Sequence, residues 1–268
     1  MKSRLARIFR RDTGKAVMLA IDHGYFEGPE IGLEQVDQSI VPFLEHADAL
    51  MATRGVVRTS IPPSYSRGVV LRATGGASIL KELSNERIAV DIEDALRLNV
   101  AGLAVTVFIG GEYETQTVHN LTRLVDVGNR HGIPVLAVTV TMDPALEDAK
   151  YYRMSCRICA ELGAHFVKTY FVEKDFDSVM SSCPVPVVVA GGNKLPEFDA
   201  LAMTYRCMQA GAAGMDMGRN IFQAESPAAM IQAVRAVVHD GENAKKAFDL
   251  YQSLKNGAKK QKLAASKA

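Results

Sequence analysis

Short apolar runs alternate with longer amphipathic segments along almost the whole chain. Eight of these runs have the composition of strands that are buried on both faces, and nearly all of them end in glycine or polar residues. The predicted strands are Val17–Ile21, Ala49–Ala52, Val69–Ala73, Ala101–Ile109, Val135–Val140, Phe166–Tyr170, Val185–Val189 and Gly214–Met217. Strands that alternate with helices form parallel sheets, and eight such units in 268 residues predict a (β/α)8 TIM barrel. An open doubly wound sheet is the alternative.

The segments between and around the strands have the apolar spacing of helices. They cover residues 33–46, 84–98, 112–131, 144–163, 173–182, 195–210, 227–239 and 242–255. A short amphipathic helix within Met1–Arg11 is expected to cap the bottom of the barrel. Residues 1–256 therefore form a single predicted domain, and the lysine- and alanine-rich residues 257–268 are expected to be a disordered tail.

Composition and charge argue against several classes of protein. Hydrophobic residues make up 48% of the chain, and 31 basic against 30 acidic residues leave a net charge of +1. This balance gives no electrostatic footprint for nucleic acid or for a membrane surface. The chain has no run of roughly 18 apolar residues, no apolar core of a signal peptide and no secreted pattern of cysteines, so we expect a cytoplasmic protein.

A single lysine, Lys168, lies in the sixth predicted strand, among the strand formers of AHFVKTY at 164–170. Burial on a strand removes hydration from the ammonium and is expected to lower its pKa, which leaves free amine to attack a carbonyl. Lys168 is therefore a candidate Schiff-base nucleophile. The alternative is a lysine at the end of a strand whose ammonium reaches water.

Two glycine-rich turns follow the seventh and eighth predicted strands, where TIM barrels commonly hold a phosphate. Gly191 and Gly192 have no Cβ, so an anion can approach their backbone N–H groups closely. Gly218 and Arg219 offer the same access with an added guanidinium, and residues 220–223 predict a short helix whose N-terminus faces the phosphate. A tight turn would explain either pair alone. Both pairs together predict a phosphate site.

Further polar residues end the first three predicted strands. Asp22 and His23 follow strand one, which adjoins strand eight in a closed barrel, and near a Schiff base they could transfer the protons that its formation requires. The alternatives are a helix N-cap for Asp22 and a surface position for His23. Arg54 and Arg72, near the ends of strands two and three, either orient a polyoxygenated substrate or belong to a salt-bridge network at the same rim.

Longer stretches carry a family resemblance. They are LAIDHG at 19–24, HFVKTY at 165–170, VVVAGG at 187–192 and GMDMGRNIFQ at 214–223. With them the chain resembles the DhnA-type class I aldolases, which are (β/α)8 barrels with a Schiff-base lysine on strand six. By this resemblance Lys168 is the Schiff-base residue, Asp22 and His23 form an acid/base pair, and the two glycine-rich turns hold a phosphate.

Within this family the likeness is greatest to a thiol-dependent branch. It is carried by stretches across residues 3–255, among them IDHGYFEGP, MATRG, VVLRA, ELSNE, GGEYE and KTYFVEK. The resemblance implies cleavage of 3-hydroxy-5-phosphonooxypentane-2,4-dione with coenzyme A into dihydroxyacetone phosphate and acetyl-CoA, in the breakdown of autoinducer-2. It implies coenzyme A as a co-substrate and no other cofactor, and the histidines show no metal-ligand spacing.

The resemblance also implies a homo-oligomer, built from five-membered rings that often pair into decamers. The sequence supports assembly only loosely. Apolar residues within Arg4–Phe9, and Phe248 and Tyr251 in the C-terminal helix, form faces that a monomer would leave exposed.

One departure from the family bears on the reaction. Members that act on fructose bisphosphate place a tyrosine just after strand five, as acid/base for the hydroxyl of the cleaved bond, whereas strand five here ends Val138-Thr139-Val140-Thr141. Thiolytic cleavage needs no such base, so the missing tyrosine favours it over a class I aldolase acting on fructose bisphosphate or another sugar phosphate. A barrel that binds a phosphorylated sugar without catalysis is the third alternative.

Overall fold

Eight parallel strands with helices between them make up most of the computed structural model, which describes residues 1–265. In chain order the strands are β1 Ala16–Ala20, β2 Ala49–Ala52, β3 Gly68–Arg72, β4 Gly102–Ile109, β5 Val135–Thr141, β6 Phe166–Thr169, β7 Val187–Ala190 and β8 Gly214–Met217. Each strand pairs with the next, and β1 also pairs with β8, where Ala16 lies opposite Gly214. The sheet is closed, which confirms the predicted (β/α)8 TIM barrel and excludes the open sheet.

The two faces of the strands pack into two separate cores. Inside the barrel, Met18, Met51 and Val188 are fully buried and fill the space that the strands enclose. Neighbouring residues such as Val17 and Leu50 point outward and belong to the core between the strands and the helices. Because both faces are buried, the strands are apolar along most of their length and show no polar alternation.

The helices lie where the sequence predicts them, but several differ from the prediction in length. Those of six residues or more are Arg54–Thr59, Ile92–Arg97, Glu114–His131, Ala149–Glu161, Phe176–Ser182, Glu197–Gln209, Pro227–Asp240 and Ala244–Ala265. Shorter helical turns are Lys2–Leu5, Gly24–Glu27, Val36–Ser39 and Arg219–Phe222, and 3-10 helices cover Val41–His46 and Pro144–Leu146. Within residues 1–265, no helix has the length and apolarity that crossing a membrane requires.

Two predicted helices are much shorter in the structure. The segment at 33–46 is one helical turn followed by a 3-10 helix, because Pro42 lacks the N–H that a continuous α-helix would use. Only the last part of the segment at 84–98 is helical, after the N-cap residue Asp91. The residues before it contribute to a small antiparallel sheet, whose strands are Thr74–Gly75 and Arg87–Ile88.

The N-terminal segment closes the bottom of the barrel, as predicted. Ile8 is almost fully buried among interior residues of the barrel. Phe9 packs edge-on against Phe166 at the start of β6, with 5.4 Å between the ring centroids. The carbonyl of Arg7 accepts a hydrogen bond from the N–H of Gly68, the first residue of β3. Packed side chains therefore fill the amino-terminal end of the barrel.

The C-terminal helix is longer than the sequence predicts. It runs over Ala244–Ala265 and so includes most of the stretch at 257–268 that was expected to be disordered; residues 266–268 lie outside the described part of the chain. Alanine and lysine are strong helix formers. In addition, Lys255 and Lys259, one turn apart, lie 2.9 and 2.6 Å from the two carboxylate oxygens of Glu225. These ion pairs attach the extension to the barrel.

Candidate active site

A cavity opens at the carboxyl ends of the strands. Each of the eight strands, or the loop directly after it, contributes to the lining. The sequence-predicted site residues that line it are Lys168, Asp22, His23, Arg72, Gly191, Gly192, Gly218 and Arg219. Within residues 1–265, no three histidine, cysteine, aspartate or glutamate side chains are grouped so as to hold a metal ion.

Lys168 lies on β6, is 7% exposed and lines this cavity. Its side chain is therefore buried inside the barrel and does not extend from the end of a strand into bulk water. Its Nζ is 2.8 Å from Oδ2 of Asp216 on β8. Burial opposes the ammonium, but the carboxylates of Asp216 and Asp22 outweigh burial and raise the pKa of Lys168. The prediction that burial lowers this pKa is therefore wrong, because the sequence did not show which charges face the amine.

Asp216 is an acid that the sequence analysis missed. Its carboxylate is fully buried, and within the described chain neither oxygen has a partner with hydrogen-bond geometry, although Lys168 lies within ion-pair distance. Burial raises the pKa of Asp216 despite the nearby ammonium. A carboxylate with a raised pKa beside an ammonium can accept its proton. The signal in the sequence was an aspartate inside the apolar strand Gly214–Met217, where an unpaired charge would be costly.

Asp22 and Arg72 form a second buried ion pair, with 2.8 Å between Oδ2 and Nη1. Burial opposes the charge of Asp22, but Arg72 and then His23 and Lys168 outweigh burial and lower the pKa of Asp22. Asp22 is therefore a carboxylate at neutral pH. It does not cap the short helix that follows, whose N-cap position belongs to His23. Arg72 fits both interpretations of the sequence, since it lines the cavity and belongs to a salt-bridge network.

Glu86 is the other acid that sequence reasoning missed. It is 1% exposed, accepts a hydrogen bond from Thr74 Oγ1 at 2.7 Å, and also contacts the guanidinium of Arg72 and the hydroxyl of Tyr25. Its backbone carbonyl accepts a hydrogen bond from Asn120 Nδ2 at 2.8 Å. These hydrogen bonds hold the loop after β3 against the wall of the cavity. No sequence signal marked Glu86, because an acid in the polar stretch ELSNE has the pattern of a solvated loop residue.

His23 lies beside Gly218, where β1 adjoins β8. Burial lowers the pKa of His23, so its imidazole is neutral at neutral pH, and in the described chain its Nδ1 has no hydrogen-bond partner. A Cβ on Gly218 would lie 2.6 Å from Cε1 of His23 and 2.7 Å from the carbonyl oxygen of Ala20. Glycine is therefore required at this position for packing, and His23 lines the cavity instead of lying on the outer surface.

The two glycine-rich turns lie side by side at the ends of β7 and β8. Asn220, which is fully buried, joins them. Its Nδ2 donates hydrogen bonds to the carbonyls of Gly191 and Asn193, at 2.7 and 3.0 Å, and its Oδ1 accepts one from Leu195 N at 2.7 Å. Gly192 has a φ of +67°, and a Cβ there would meet no atom of the described residues within 4 Å. The backbone of Gly192 therefore borders open space in the cavity.

Arg219 begins the short helix Arg219–Phe222 and lines the cavity next to these turns. Its Nε lies 4.0 Å from Oε1 of Glu30. This nitrogen is buried and has no hydrogen-bond partner in residues 1–265. The guanidinium brings a positive charge to the turns, which favours the binding of a phosphate there.

Arg54 is not among the residues that line the cavity. It begins the helix Arg54–Thr59, where its Nη1 lies 3.4 Å from Oδ2 of Asp94, and Arg58 pairs with the same carboxylate. The side chain of Arg54 is 45% exposed. The salt-bridge alternative therefore describes Arg54, and the prediction that it binds substrate is not supported. The chain turns into a helix directly after β2, which directs this side chain toward Asp94 instead of the barrel mouth.

Comparison with known proteins places the chain in a family. The profile described as DeoC/LacD family aldolase matches residues 16–224, from the first residue of β1 to the segment after the short helix that follows β8. The chain belongs to this family.

Two curated relatives of this DeoC/LacD family aldolase match over nearly the whole chain. A Klebsiella pneumoniae protein named 3-hydroxy-5-phosphonooxypentane-2,4-dione thiolase is 56% identical over 257 residues, which are 96% of this chain and 87% of the relative. A protein of the same name from Escherichia coli K12 is 53% identical over 255 residues, 95% of this chain and 88% of the relative.

A solved structure shares the fold of this DeoC/LacD family aldolase. It is an archaeal fructose-1,6-bisphosphate aldolase whose catalytic lysine is covalently bound to the carbinolamine intermediate of the substrate. The TM-score is 0.77 at 24% sequence identity, and the match covers 88% of this chain and 98% of the archaeal chain. At this identity the likeness shows the barrel fold.

Proposed function

We propose that the protein cleaves 3-hydroxy-5-phosphonooxypentane-2,4-dione with coenzyme A, giving dihydroxyacetone phosphate and acetyl-CoA. The observation that carries the proposal is Lys168, a buried amine in a cavity that also contains the two glycine-rich turns. The relatives named as thiolases, at 56% and 53% identity, support this substrate. They also support an enzyme over a barrel that only binds a phosphorylated sugar.

The first step is a Schiff base between Lys168 and the C4 ketone. The substrate phosphate binds at the turns after β7 and β8, beside Arg219. Asp216 takes a proton from the ammonium of Lys168, which lies 2.8 Å away. The free amine adds to C4, and loss of water from the carbinolamine leaves a protonated imine.

The second step breaks the bond between C2 and C3. The thiolate of coenzyme A adds to the C2 ketone, and the tetrahedral intermediate collapses to acetyl-CoA while the electrons of the C2–C3 bond pass into the imine and form an enamine. Protonation at C3 and hydrolysis by water release dihydroxyacetone phosphate and restore the amine of Lys168. We assign these proton transfers to Asp22 and His23, which line the same cavity.

The wall formed by β5 favours thiolysis over aldol cleavage. The residues of β5 that line the cavity are Val138 and Val140, neither of which can accept a proton. Aldol cleavage must deprotonate the hydroxyl at the bond that breaks, whereas thiolysis attacks a ketone and needs no base there. A class I aldolase acting on fructose bisphosphate or another sugar phosphate is the second candidate, supported by the match to the DeoC/LacD family aldolase profile.

Product analysis separates these reactions. The protein, incubated with the pentanedione phosphate and coenzyme A, is expected to form acetyl-CoA and dihydroxyacetone phosphate, detected by mass spectrometry, and to form neither product without coenzyme A. Cleavage of fructose bisphosphate without coenzyme A would instead favour the aldolase. Turnover of neither substrate would support the barrel that binds without catalysis.

Borohydride reduction tests Lys168 directly. With dihydroxyacetone phosphate present, reduction is expected to leave a covalent adduct on the peptide that contains Lys168, and Lys168→Met should abolish the adduct. Lys174→Met and Lys194→Met are matched controls, because both lysines lie in loops that follow strands at the same end of the barrel. An adduct on either control lysine would contradict the assignment.

We also propose a cytoplasmic homo-oligomer of five-membered rings, active in autoinducer-2 breakdown and using no cofactor besides the co-substrate coenzyme A. The family resemblance supports the assembly. The apolar faces do not, because Ile8 and Tyr251 are buried within one chain and Phe248 packs against Phe198 with 5.5 Å between the ring centroids. Light scattering measures the assembly, and the mass of a single chain at micromolar concentration would contradict it.

A further inference from the structure

The proposed reaction requires a place for coenzyme A, and the walls of the active-site cavity differ in chemistry. The β7–β8 side carries the two glycine-rich turns and Arg219. On the side formed by β4, β5 and the loop after β3, an apolar wall of Phe108, Val138, Val140 and Leu83 adjoins the polar side chains of Thr106 and Glu86. In the closed order of strands, β4 lies opposite β8. The apolar wall therefore faces the phosphate turns across the barrel.

This arrangement sets the direction of the substrate. When the phosphate lies at β8 and C4 is bound to Lys168, carbons C3 to C1 extend away from the phosphate and toward the apolar wall. The C2 ketone, which the thiol attacks, then lies against this wall. The thiol of coenzyme A ends an uncharged ethyl chain, and burial of such a chain against Phe108 and Val140 is favourable.

The loop at 77–87 separates this wall from a second cavity. Leu83 lines the first cavity, whereas Lys81 and Arg87 of the same loop line the second. Tyr113, in the loop after β4, lines the second cavity as well. Two exposed cations and an aromatic ring suit the nucleotide end of coenzyme A, because cations pair with its phosphates and a ring stacks on its adenine.

A third cavity, formed by the loops after β5 and β6, has the opposite electrostatic character. Its charged residues are two lysines and four carboxylates: Lys150, Lys174, Glu147, Asp148, Glu173 and Asp175. The second cavity has its two cations against one carboxylate, Glu82. A polyanion is therefore attracted to the second cavity and repelled by the third.

We propose that coenzyme A binds along the loop at 77–87. Its thiol arm lies against the apolar wall of the first cavity, and its nucleotide occupies the second cavity, on Lys81, Arg87 and Tyr113. This inference rests on the proposed thiolytic function and adds to it the position of the acyl acceptor.

Charge reversal tests the nucleotide site. The double variant Lys81→Glu, Arg87→Glu is expected to raise KM for coenzyme A by at least about tenfold, because two charge-assisted contacts to phosphate are lost. KM for N-acetylcysteamine, which has the thiol end without the nucleotide, should stay within about twofold. Lys174→Glu, in the acidic third cavity, is the matched control and should leave both values unchanged.

Leu83→Asp tests the thiol arm. It is expected to raise KM for coenzyme A and for N-acetylcysteamine alike, because a carboxylate replaces an apolar contact and repels the thiolate. Borohydride trapping with dihydroxyacetone phosphate uses no thiol. Trapping should therefore be unchanged in the double variant, whose residues do not line the first cavity, and this also shows that the double variant folds. Circular dichroism checks the fold of Leu83→Asp.

The outcomes separate this inference from the function on which it rests. If the parent protein makes acetyl-CoA while the double variant keeps KM for coenzyme A within about twofold, the nucleotide binds elsewhere and the inference is wrong. An equal rise of KM for both thiols in the double variant, or an unchanged KM for both thiols in a folded Leu83→Asp variant, would also overturn it. If the parent protein makes no acetyl-CoA, the proposed thiolytic function is wrong, and the inference, which depends on that function, is wrong as well.

Discussion

Lys168 and Asp216 face each other from β6 and β8, on either side of β7. A lone charge at either position would be costly to bury, and the ion pair reduces that cost. In the proposed mechanism the pair also controls how the amine becomes reactive. Burial raises the pKa of Asp216, so the carboxylate can take the proton of the ammonium when a ketone enters the cavity. In the proposed mechanism the amine of Lys168 is therefore released by a neighbouring carboxylate and not by burial alone.

Replacing Asp216 by asparagine is expected to lower the pKa of Lys168, because the amide no longer stabilises the ammonium. Imine formation needs the free amine, so its rate rises with pH through this pKa. The midpoint of the profile should therefore move to lower pH, by about one unit or more. The maximal rate should fall, since asparagine takes no proton. The rate of borohydride trapping as a function of pH measures both effects.

The matched control for this prediction is Asp94→Asn. Asp94 pairs with Arg54 and Arg58 and does not line the cavity, so its loss should leave the pH profile of trapping unchanged. A midpoint in Asp216→Asn that is unchanged or higher would mean that Asp216 does not control the pKa of Lys168.

Two glycines of the glycine-rich turns after β7 and β8 are expected to respond differently to alanine. In Gly218→Ala the Cβ would lie 2.6 Å from Cε1 of His23, so overpacking should lower the free energy of unfolding by about 1–3 kcal/mol. In Gly192→Ala the Cβ has space, and the positive φ alone should cost about 1 kcal/mol. Gly192→Ala should instead weaken binding of dihydroxyacetone phosphate, because its methyl group stands where a phosphate approaches the backbone N–H.

Urea unfolding and titration with dihydroxyacetone phosphate measure these two effects separately. Parental affinity in Gly192→Ala would show that the phosphate does not contact this turn. An unchanged free energy of unfolding in Gly218→Ala would show that β1 and β8 can move apart to admit the methyl group without loss of stability.

Between elements, Asn220 connects the turn after β7 with the helix after β8 through three hydrogen bonds of 2.7 to 3.0 Å. Asn220→Ala leaves two carbonyls and one N–H without these partners, at about 1–3 kcal/mol for each group that stays buried. We expect lower stability and at least about tenfold weaker binding of dihydroxyacetone phosphate, because the turns lose their relative position. Asn129→Ala is the control, since the side chain of the exposed Asn129 forms a hydrogen bond only with His165 among the described residues. Unchanged phosphate affinity in Asn220→Ala would mean that the turns hold their position without this link.

For the secondary-structure elements themselves, the sequence predicts the strands better than the helices. A strand of a closed parallel barrel is buried on both faces, so its apolar run is a strong local signal. The predicted helix at 84–98 failed for a tertiary reason. Glu86 forms a buried ion pair with Arg72, and residues 87–88 pair with the short strand that follows β3. These tertiary contacts stabilise a non-helical conformation although the apolar spacing of the segment is helical.

In the whole molecule, the packed end of the barrel and the cavity with Lys168 lie at opposite ends of the strands. The N-terminal segment fills the amino-terminal end of the barrel, and the cavity lies at the carboxyl end. Ile8→Ala should therefore lower the free energy of unfolding by about 2–4 kcal/mol through the cavity it leaves, while borohydride trapping at Lys168 stays at the parental rate. Ile79→Ala, at a side chain that is 57% exposed, should change neither. Loss of trapping in a folded Ile8→Ala variant would show that the two ends are coupled.

The sequence by itself determined the barrel, the strand that carries Lys168 and the two turns suited to phosphate. These features are encoded locally, in the apolar runs, in the residue types at their ends and in glycines without a Cβ. The tertiary structure alone decided which charges meet. It placed Asp216 beside Lys168, brought Glu86 to Arg72 and turned Arg54 toward Asp94, because strands and loops far apart in the chain become neighbours only when the barrel closes. The pKa of a buried lysine depends on those neighbours, and so its direction could not be read from the chain.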